Sequence, residues 1–282
     1  MAPQQEFPPV RACLFDMDGL LLDTEDLYTK AVNIILDKYA REPLPWSIKA
    51  KLQGRPGPAS VQIFHDWAKL PISQEDYVAQ NQALQNELFP SAGPLPGVVE
   101  LLRDLGRTKD VQDKQKRVHI ALATSSHKGN FELKTGHLQD LFSVFPSHRR
   151  VLGDDTRLQP GRGKPLPDIF LLALKTINDS LDPEEKPIAP EECLVFEDSV
   201  PGVEAGRRAG MRVIWVPHVE LKKLYNGREG EILAGRMAEA GEVDMHQVGE
   251  IDDGWGEHMS SLENFPYGRY GMEIPGVNAA MS

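Results

Sequence analysis

The sequence has little of what would direct a chain to a membrane or to an oxidising compartment. It contains only two cysteines, Cys13 and Cys193. Each stands in an apolar run, so we expect buried, reduced thiols. No apolar run approaches the roughly 18 residues typical of a membrane span, and the start, MAPQQEFPPV, lacks the basic and apolar regions of a secretory signal. We therefore expect a cytoplasmic protein without a membrane partner.

Positive charge is also scarce. The 31 lysines and arginines are outnumbered by 42 aspartates and glutamates, which gives a net charge of -11. This balance argues against a nucleic-acid polymer as partner, because phosphate backbones select basic surfaces. A small phosphorylated metabolite stays compatible, because a bound cation and a few donors can override the overall field in one cleft. The 282 residues suffice for a core domain and a smaller one, and we expect a monomer.

Short apolar runs alternate with helical patterns along most of the chain. The strand candidates lie at residues 10–19, 117–126, 192–202 and 211–217, with a weaker fifth within 141–155. Helical stretches between them include residues 97–105, 167–177 and 201–210. This alternation predicts an α/β fold with a doubly wound parallel sheet, in which ligands bind beyond the carboxyl ends of the strands.

Residues 24–90 break the alternation with three amphipathic helical patterns, and the Gly/Pro-rich segment 91–97 follows them. We interpret 24–90 as a small all-helical cap domain inserted after the first strand. Residues 1–23 and 91–282 then form the core domain. The stretch beyond about residue 218 shows little periodicity and predicts no particular structure or function.

Acidic side chains follow two of the apolar runs at the point where each run ends. Asp16 and Asp18 end the first run, and Gly19 then gives the backbone freedom to bend. Glu197 and Asp198 end another run. One carboxylate can attack phosphorus while a second moves a proton. Four carboxylates converging at strand ends would repel one another without a cation, and oxygen ligands beside a phosphate favour Mg²⁺. The alternative is a solvated acidic rim.

Polar groups that suit an anion occur at two further places. Thr124, Ser125 and Ser126 follow the second main strand candidate, just before a helix that begins near Lys128, where hydroxyls and backbone N–H groups form an anion cradle. Helix capping is the commoner use of such residues. Lys164 stands between a Gly-rich loop and two prolines, and a lysine presented rigidly can neutralise phosphate charge. Most lysines are simply exposed, so its significance depends on the other motifs.

Four segments, in order along the chain, resemble the four signature motifs of the haloacid dehalogenase superfamily. They are FDMDGLLLDTE (15–25), ALATSS (121–126), GKPLPDIF (163–170) and VFEDSVPGVEAGRRAG (195–210). The resemblance implies a Rossmann-like core with a small helical cap. The catalytic roles it implies are Asp16 as nucleophile, Asp18 as acid/base, Thr124 as phosphate-binding hydroxyl and Lys164 as charge-stabilising lysine. The Mg²⁺ ligands it implies are Asp16, the backbone carbonyl of Asp18, and Asp198, with Glu197 as a ligand or as a partner of one.

Aspartate at position 18 narrows the activity that the resemblance implies. Dehalogenases of this superfamily lack an acid/base there, and the ATPase relatives carry threonine. A phosphatase and a sugar phosphomutase remain, which share an aspartyl-phosphate intermediate and differ in whether water or a sugar hydroxyl accepts the phosphoryl group. Several segments most resemble a nucleotide-monophosphate relative of the sugar phosphatases. A catalytically inactive binding or regulatory protein on this fold would lack Asp16, Asp18 or Lys164, and all three are present.

The segment 52–60, LQGRPGPAS, joins two predicted cap helices and is rich in glycine and proline. Arg55 is its only charged residue. We expect this loop to overhang the cleft and Arg55 to contact the phosphate or the leaving group, although a guanidinium on a loop usually faces water. The predicted substrate-binding residues are Gly19, Gly54, Arg55 and Ser125.

Overall fold

The core domain is built on six parallel strands. The computed structural model describes residues 7–55, 57–237 and 248–276. The strands are β1 Ala12–Phe15, β2 His119–Ala123, β3 Arg150–Val151, β4 Cys193–Glu197, β5 Arg212–Trp215 and β6 Gly256–His258. They lie in the order β3-β2-β1-β4-β5-β6, and each neighbouring pair is parallel. The predicted doubly wound parallel sheet is confirmed.

Strand β1 lies at the point where the strand order reverses. Phe15, its last residue, stands opposite Leu122 of β2 on one side and opposite Phe196 of β4 on the other. All four residues of β1 are buried, as expected for a parallel strand covered on both faces. The chain continues from β1 through β2 and β3 and returns on the other side to β4. The crevice at such a reversal is where ligands bind in open α/β sheets.

Four helices follow β1 directly and form the cap. They are α1 Glu25–Lys38, α2 Trp46–Leu52, α3 Gly57–Ala68 and α4 Gln74–Leu88. Buried apolar residues of these helices and of the loops between them form one cluster: Val32, Ile35, Leu36, Leu44, Phe64, Ala68, Leu70 and Tyr77. The Ser73 hydroxyl caps α4 by accepting the N–H of Asp76 at 3.1 Å. The predicted helical cap after the first strand is confirmed, whereas its boundaries at 24 and 90 stay a prediction.

Helices of the core cover both faces of the sheet. They are α5 Val98–Arg107, α6 Lys128–Thr135, α7 Gln139–Phe142, α8 Asp168–Asn178, α9 Val200–Arg208, α10 Val219–Leu224 and α11 Glu229–Leu233. Residues of α5, α6 and α7 pack in one apolar cluster, and residues of α8 to α11 pack in a second on the opposite face. No helix in the described ranges combines the length and the apolar character needed to cross a membrane.

The two cysteines lie on neighbouring strands but on opposite faces of the sheet. Cys193 is in register with Ala12 rather than with Cys13, so Cys13 packs in the first cluster and Cys193 in the second. Both are buried and free, and burial raises the pKa of each thiol. The prediction of buried, reduced thiols is confirmed.

Three features of the fold were weakly predicted or missed. The sequence patterns predicted three cap helices, and the structure adds a fourth, α2. The fifth strand candidate, within 141–155, is only the two-residue β3. The segment beyond residue 218 adds α10, α11 and the edge strand β6. Strand β6 has the sequence GEH and is half-buried throughout, so it carries no apolar pattern that would reveal it. It is ordered by pairing with β5, from Val213 opposite Gly256 to Trp215 opposite His258.

Candidate active site

The nucleophile candidate lies directly beyond the central strand. The backbone N–H of Asp16 still bonds to Phe196 O at 3.1 Å, after which the chain turns sharply and the N–H groups of Leu21 and Leu22 both bond to Met17 O. Gly19 sits in this turn with φ +76°, and a Cβ there would be 2.2 Å from Asp198 Oδ2. Glycine is therefore required both by the backbone conformation and by the close approach to Asp198.

Lys164 joins the first and fourth strands through its ammonium group. Its Nζ lies 2.5 Å from Asp16 Oδ1 and 2.6 Å from Glu197 Oε1, and it donates to Ala123 O at 3.1 Å. Burial would lower the pKa of Lys164, but the carboxylates of Asp16 and Glu197 outweigh it and raise that pKa. Burial raises the pKa of Asp16 to about 7 in spite of the lysine, and the nearby Glu197 carboxylate adds to the rise.

The turn after β4 holds Glu197 and Asp198 in different ways. Glu197 Oε2 accepts hydrogen bonds from the N–H groups of Asp198 and Ser199 and from the Ser199 hydroxyl. The backbone of Asp198 is fixed by Trp215, whose Nε1 donates to Asp198 O at 2.9 Å. Burial raises the pKa of the Asp198 carboxyl well above its ordinary value, and the charge of Glu197 adds to this. The carboxylate oxygens of Glu197 therefore make more hydrogen bonds and ion pairs within the protein than those of Asp198 do.

Asp16, Glu197 and Asp198 form a buried group whose oxygens all lie within 4.8 Å of one another. Lys164 is a cation that contacts two of them, so the cluster would carry an excess of negative charge whenever all three carboxyls are ionised. An uncompensated buried charge is strongly unfavourable, and a hard divalent cation with oxygen ligands would relieve it. The donor set fits Mg²⁺.

The hydroxyls after β2 lie at the same end of the sheet. Thr124 is fully buried. Its Oγ1 accepts a hydrogen bond from the N–H of Ser126 at 3.1 Å, so the hydroxyl proton is available to donate to another group. Ser125 Oγ donates to Gly54 O of the cap at 3.0 Å. Gly54 has φ +72°, and a Cβ there would be 2.3 Å from Ser199 Oγ. The cap loop thus rests directly on the ends of β2 and β4.

Asp18 is held by three donors. Its Oδ1 accepts from Thr24 Oγ1 at 2.7 Å and from Lys134 Nζ at 2.5 Å, and its Oδ2 accepts from Ser126 Oγ at 2.6 Å. Burial would raise the pKa of Asp18, but the ammonium of Lys134 and these hydrogen bonds outweigh it and hold that pKa below its ordinary value. The carboxylate has one well-defined orientation.

A cleft of about 1390 Å³ lies between the cap and these strand ends. The core side contributes Asp16, Asp18, Thr124 and Ser125, and the cap loop contributes Gly54 and Arg55. Part of the wall is lined by side-chain amides: Gln53, Asn81, Gln82, Gln85, Asn86 and Asn130. Gln53 reaches across from the cap, and its Nε2 donates to Asp198 Oδ2 at 2.5 Å.

The structure brings the predicted site residues to one place. Lys164, Glu197 and Asp198 form the floor beside Asp16, and Gly19 packs against Asp198. Arg55 lines the cleft, and its Nε donates to Lys51 O at 2.9 Å. Whether each residue performs its assigned role stays a prediction. Sequence reasoning missed Gln53 and Lys134, for which no local signal exists, because each faces the site only after the chain has folded.

Comparison with known proteins agrees with this geometry. A family model described as haloacid dehalogenase-like hydrolase matches residues 10–210. A Saccharomyces cerevisiae protein named "Probable pseudouridine-5'-phosphatase" is 41% identical over 93% of this chain and 98% of its own. An Arabidopsis thaliana protein named (DL)-glycerol-3-phosphatase 1, mitochondrial, is 38% identical over 79% of this chain and 70% of its own.

Among solved structures, the β-phosphoglucomutase of Clostridium difficile superposes with a TM-score of 0.55 at 22% identity, covering 76% of this chain and 87% of that one. This likeness concerns the fold alone. The chain belongs to the haloacid dehalogenase-like hydrolases. Within that family it is a phosphatase, that is, a phosphoric monoester hydrolase.

Proposed function

We propose that this chain is a Mg²⁺-dependent phosphatase that hydrolyses a small phosphate monoester through a phosphorylated Asp16. The observation that carries the proposal is the buried cluster in which Asp16, Glu197 and Asp198 face one another beside Lys164. Such a cluster has no evident structural use, because buried carboxylates in excess of their partners reduce stability. It also lies at the sheet end where ligands bind in this architecture.

Asp16, Asp198 and the backbone carbonyl of Asp18 would hold the Mg²⁺ ion. When bound, the ion would offset the negative charge on the phosphoryl oxygens and on the carboxylate that attacks phosphorus. Glu197 serves instead as an orienting partner, because its Oε2 accepts three hydrogen bonds from the turn and its Oε1 lies beside Lys164.

The reaction then follows from the side chains around the cleft. The Asp16 carboxylate attacks phosphorus and the ester P–O bond breaks. The negative phosphate of the bound substrate raises the pKa of Asp18, so that Asp18 carries a proton and gives it to the leaving oxygen. Asp18 next takes a proton from water as that water attacks phosphorus, which breaks the bond to Asp16 and releases phosphate. Lys164 and the Thr124 hydroxyl hold the phosphoryl oxygens through both steps.

The amide-lined wall of the cleft favours an uncharged leaving group that offers hydrogen bonds. Gln53 Oε1 and Asn81 Oδ1 are buried acceptors that no donor in the described part of the chain reaches. Such acceptors are unfavourable unless a ligand supplies the donor. A pyrimidine ring with free N–H groups and ribose hydroxyls would do so. We therefore propose pseudouridine 5'-phosphate as the substrate, in agreement with the name of the yeast relative, with a glycerol or sugar phosphate as the alternative.

The proposal is tested by phosphate release from a panel of monoesters. We expect a higher kcat/KM for pseudouridine 5'-phosphate than for uridine 5'-phosphate. Pseudouridine keeps a free ring N–H at the nitrogen that carries the ribose in uridine, so only pseudouridine can donate a hydrogen bond from that atom. Asn81→Ala should reduce that preference, whereas Gln80→Ala, on the same helix but outside the cleft lining, should preserve it. Equal rates for the two nucleotides before and after Asn81→Ala would refute the substrate assignment. A sugar phosphate isomer in place of free phosphate would identify a phosphomutase.

The metal and the nucleophile are tested separately from the substrate. Activity should be lost in excess EDTA and return with Mg²⁺, while Ca²⁺ should inhibit because it accepts more ligands and looser geometry. Asp16→Asn should abolish turnover, because an amide cannot form the acyl phosphate. Full activity in EDTA would contradict the metal assignment, and covalent phosphate labelling of the Asp16→Asn variant would contradict the nucleophile.

A further inference from the structure

Lys134 is a fully buried lysine outside the recognised motifs. Its side chain is 0% exposed, on the core helix α6. The ammonium donates to three acceptors: Asp18 Oδ1 at 2.5 Å, Tyr28 OH at 2.7 Å and Ser126 Oγ at 2.9 Å. It also lies 4.6 Å from the ring centre of Tyr28 and 4.5 Å from that of Phe89. A buried ammonium is costly to desolvate, so a site this complete calls for an explanation.

Lys134 determines the orientation of Asp18 in two ways. It binds Asp18 Oδ1 directly. It also donates to Ser126 Oγ, so the proton of that hydroxyl is directed to Asp18 Oδ2 at 2.6 Å. Of the three donors to Asp18, only Thr24 does not depend on the lysine. Removing the ammonium would therefore free the carboxylate to rotate.

The same ammonium connects Asp18 to the cap. Tyr28 belongs to α1, and Phe89 directly follows α4. Lys134 itself belongs to the core, so its contacts with both rings join the two parts of the molecule beside Asp18. The orientation of Asp18 is thus linked to the position of the cap that covers the cleft.

We propose that Lys134 is a positioning residue that aims the Asp18 carboxylate at the leaving oxygen and couples its orientation to the seated cap. The inference rests on the proposed function, in which Asp18 transfers the proton. In this scheme Lys134 contacts neither the phosphate nor the leaving group, and it acts only through Asp18 and Ser126.

The test compares substrates that differ in their need for proton transfer. Lys134→Met keeps the length and apolar stem of the side chain. We expect it to lower kcat for pseudouridine 5'-phosphate by about 10- to 100-fold with little change in KM, since general acid–base catalysis contributes about 10²–10⁴-fold. Single-turnover phosphorylation by p-nitrophenyl phosphate, whose leaving group needs no acid, should change less than about threefold. Lys128→Met, on the exposed side of the same helix, is the matched control.

A double-mutant cycle shows whether Lys134 acts through Asp18. In an Asp18→Asn background, Lys134→Met should have no further effect on kcat, because residues acting through one another are not additive. Equal losses for both substrates, or additive losses in the cycle, would show that the lysine only supports the fold. If Lys134→Met does not fold, Tyr28→Phe decides the question, because it removes one partner of the ammonium. It should slow the hydrolysis of pseudouridine 5'-phosphate about 2- to 10-fold more than that of p-nitrophenyl phosphate. An equal effect on the two would overturn the inference.

Failure of the inference can be told apart from failure of the proposed function. If Asp18→Asn slows both substrates equally in the phosphorylation step, Asp18 is not the acid and both ideas fall. If Asp18→Asn shows the leaving-group dependence while folded Lys134→Met does not, only the role of Lys134 is refuted.

Discussion

Replacing Asp16 by asparagine should make the metal-free protein more stable at pH 8, although it removes the nucleophile. Burial raises the pKa of Asp16 from its ordinary value of 3.8 to about 7. Forcing such a group to ionise costs at most about 4 kcal/mol, at about 1.36 kcal/mol per pH unit. Asparagine avoids this cost, and Lys164 is not left alone because Glu197 Oε1 lies 2.6 Å from its Nζ.

The dependence on pH gives the sharper result. A carboxyl whose pKa is raised in the folded state contributes stability at low pH that is lost as pH rises towards the folded pKa. Between pH 5 and pH 7, wild type should therefore lose about 2–3 kcal/mol of unfolding free energy relative to Asp16→Asn. Urea unfolding followed by circular dichroism in EDTA measures this difference, with Asp37→Asn, an exposed carboxylate of α1, as control.

Adding Mg²⁺ should narrow or reverse the gap, because wild type offers the ion one more carboxylate and binding to the folded state adds stability. A difference between the two proteins that stays constant from pH 5 to pH 8 in EDTA would refute the reasoning. It would show that Asp16 ionises in the fold as readily as an exposed carboxyl does.

Three further predictions concern the cap loop and the thiols. Gly54→Ala should destabilise the protein by about 1–3 kcal/mol in urea unfolding and lower kcat/KM, because the new Cβ would lie 2.3 Å from Ser199 Oγ. Arg55→Ala should lower kcat/KM for the preferred substrate by roughly 10- to 1,000-fold with little change in Mg²⁺ dependence. Cys13 and Cys193 should react slowly with a thiol reagent in the native protein and give two equivalents after denaturation, since both are buried.

Each of these three predictions has a result that would contradict it, and the two substitutions have matched control variants. Gly57→Ala lies at the start of α3, where a Cβ would meet no atom within 4 Å, and a loss equal to that of Gly54→Ala would contradict the packing argument. Arg41→Ala removes an exposed cap arginine and serves as the control for Arg55→Ala. If Arg55→Ala hydrolyses every substrate at the wild-type rate, Arg55 is not a substrate contact. Rapid labelling of both thiols in the native state would be inconsistent with their burial in the sheet.

The order of strands and helices and the main site residues could be predicted from the sequence because their signals are local. A short apolar run that ends in a carboxylate marks both a buried strand and its open end, as Phe15 with Asp16 and Phe196 with Glu197 show. In a parallel sheet the carboxyl ends of strands gather at one edge. The convergence of Asp16 and Asp198 therefore followed from the fold class. Lys164 lies in the loop after β3, and its place in the site was predicted only by the resemblance to the superfamily motifs.

Contacts between residues far apart in the chain were decided only by the tertiary structure. Gln53 and Asp198 are 145 residues apart in the chain, and Lys134 and Asp18 are 116 apart. Lys134 lies in a helix and Gln53 directly follows one, and the sequence around each does not indicate which residue it contacts. Strand β6 likewise depends on an edge of β5 to pair with. Such contacts depend on how finished elements pack, because a polar side chain is buried only where another element supplies its hydrogen bonds.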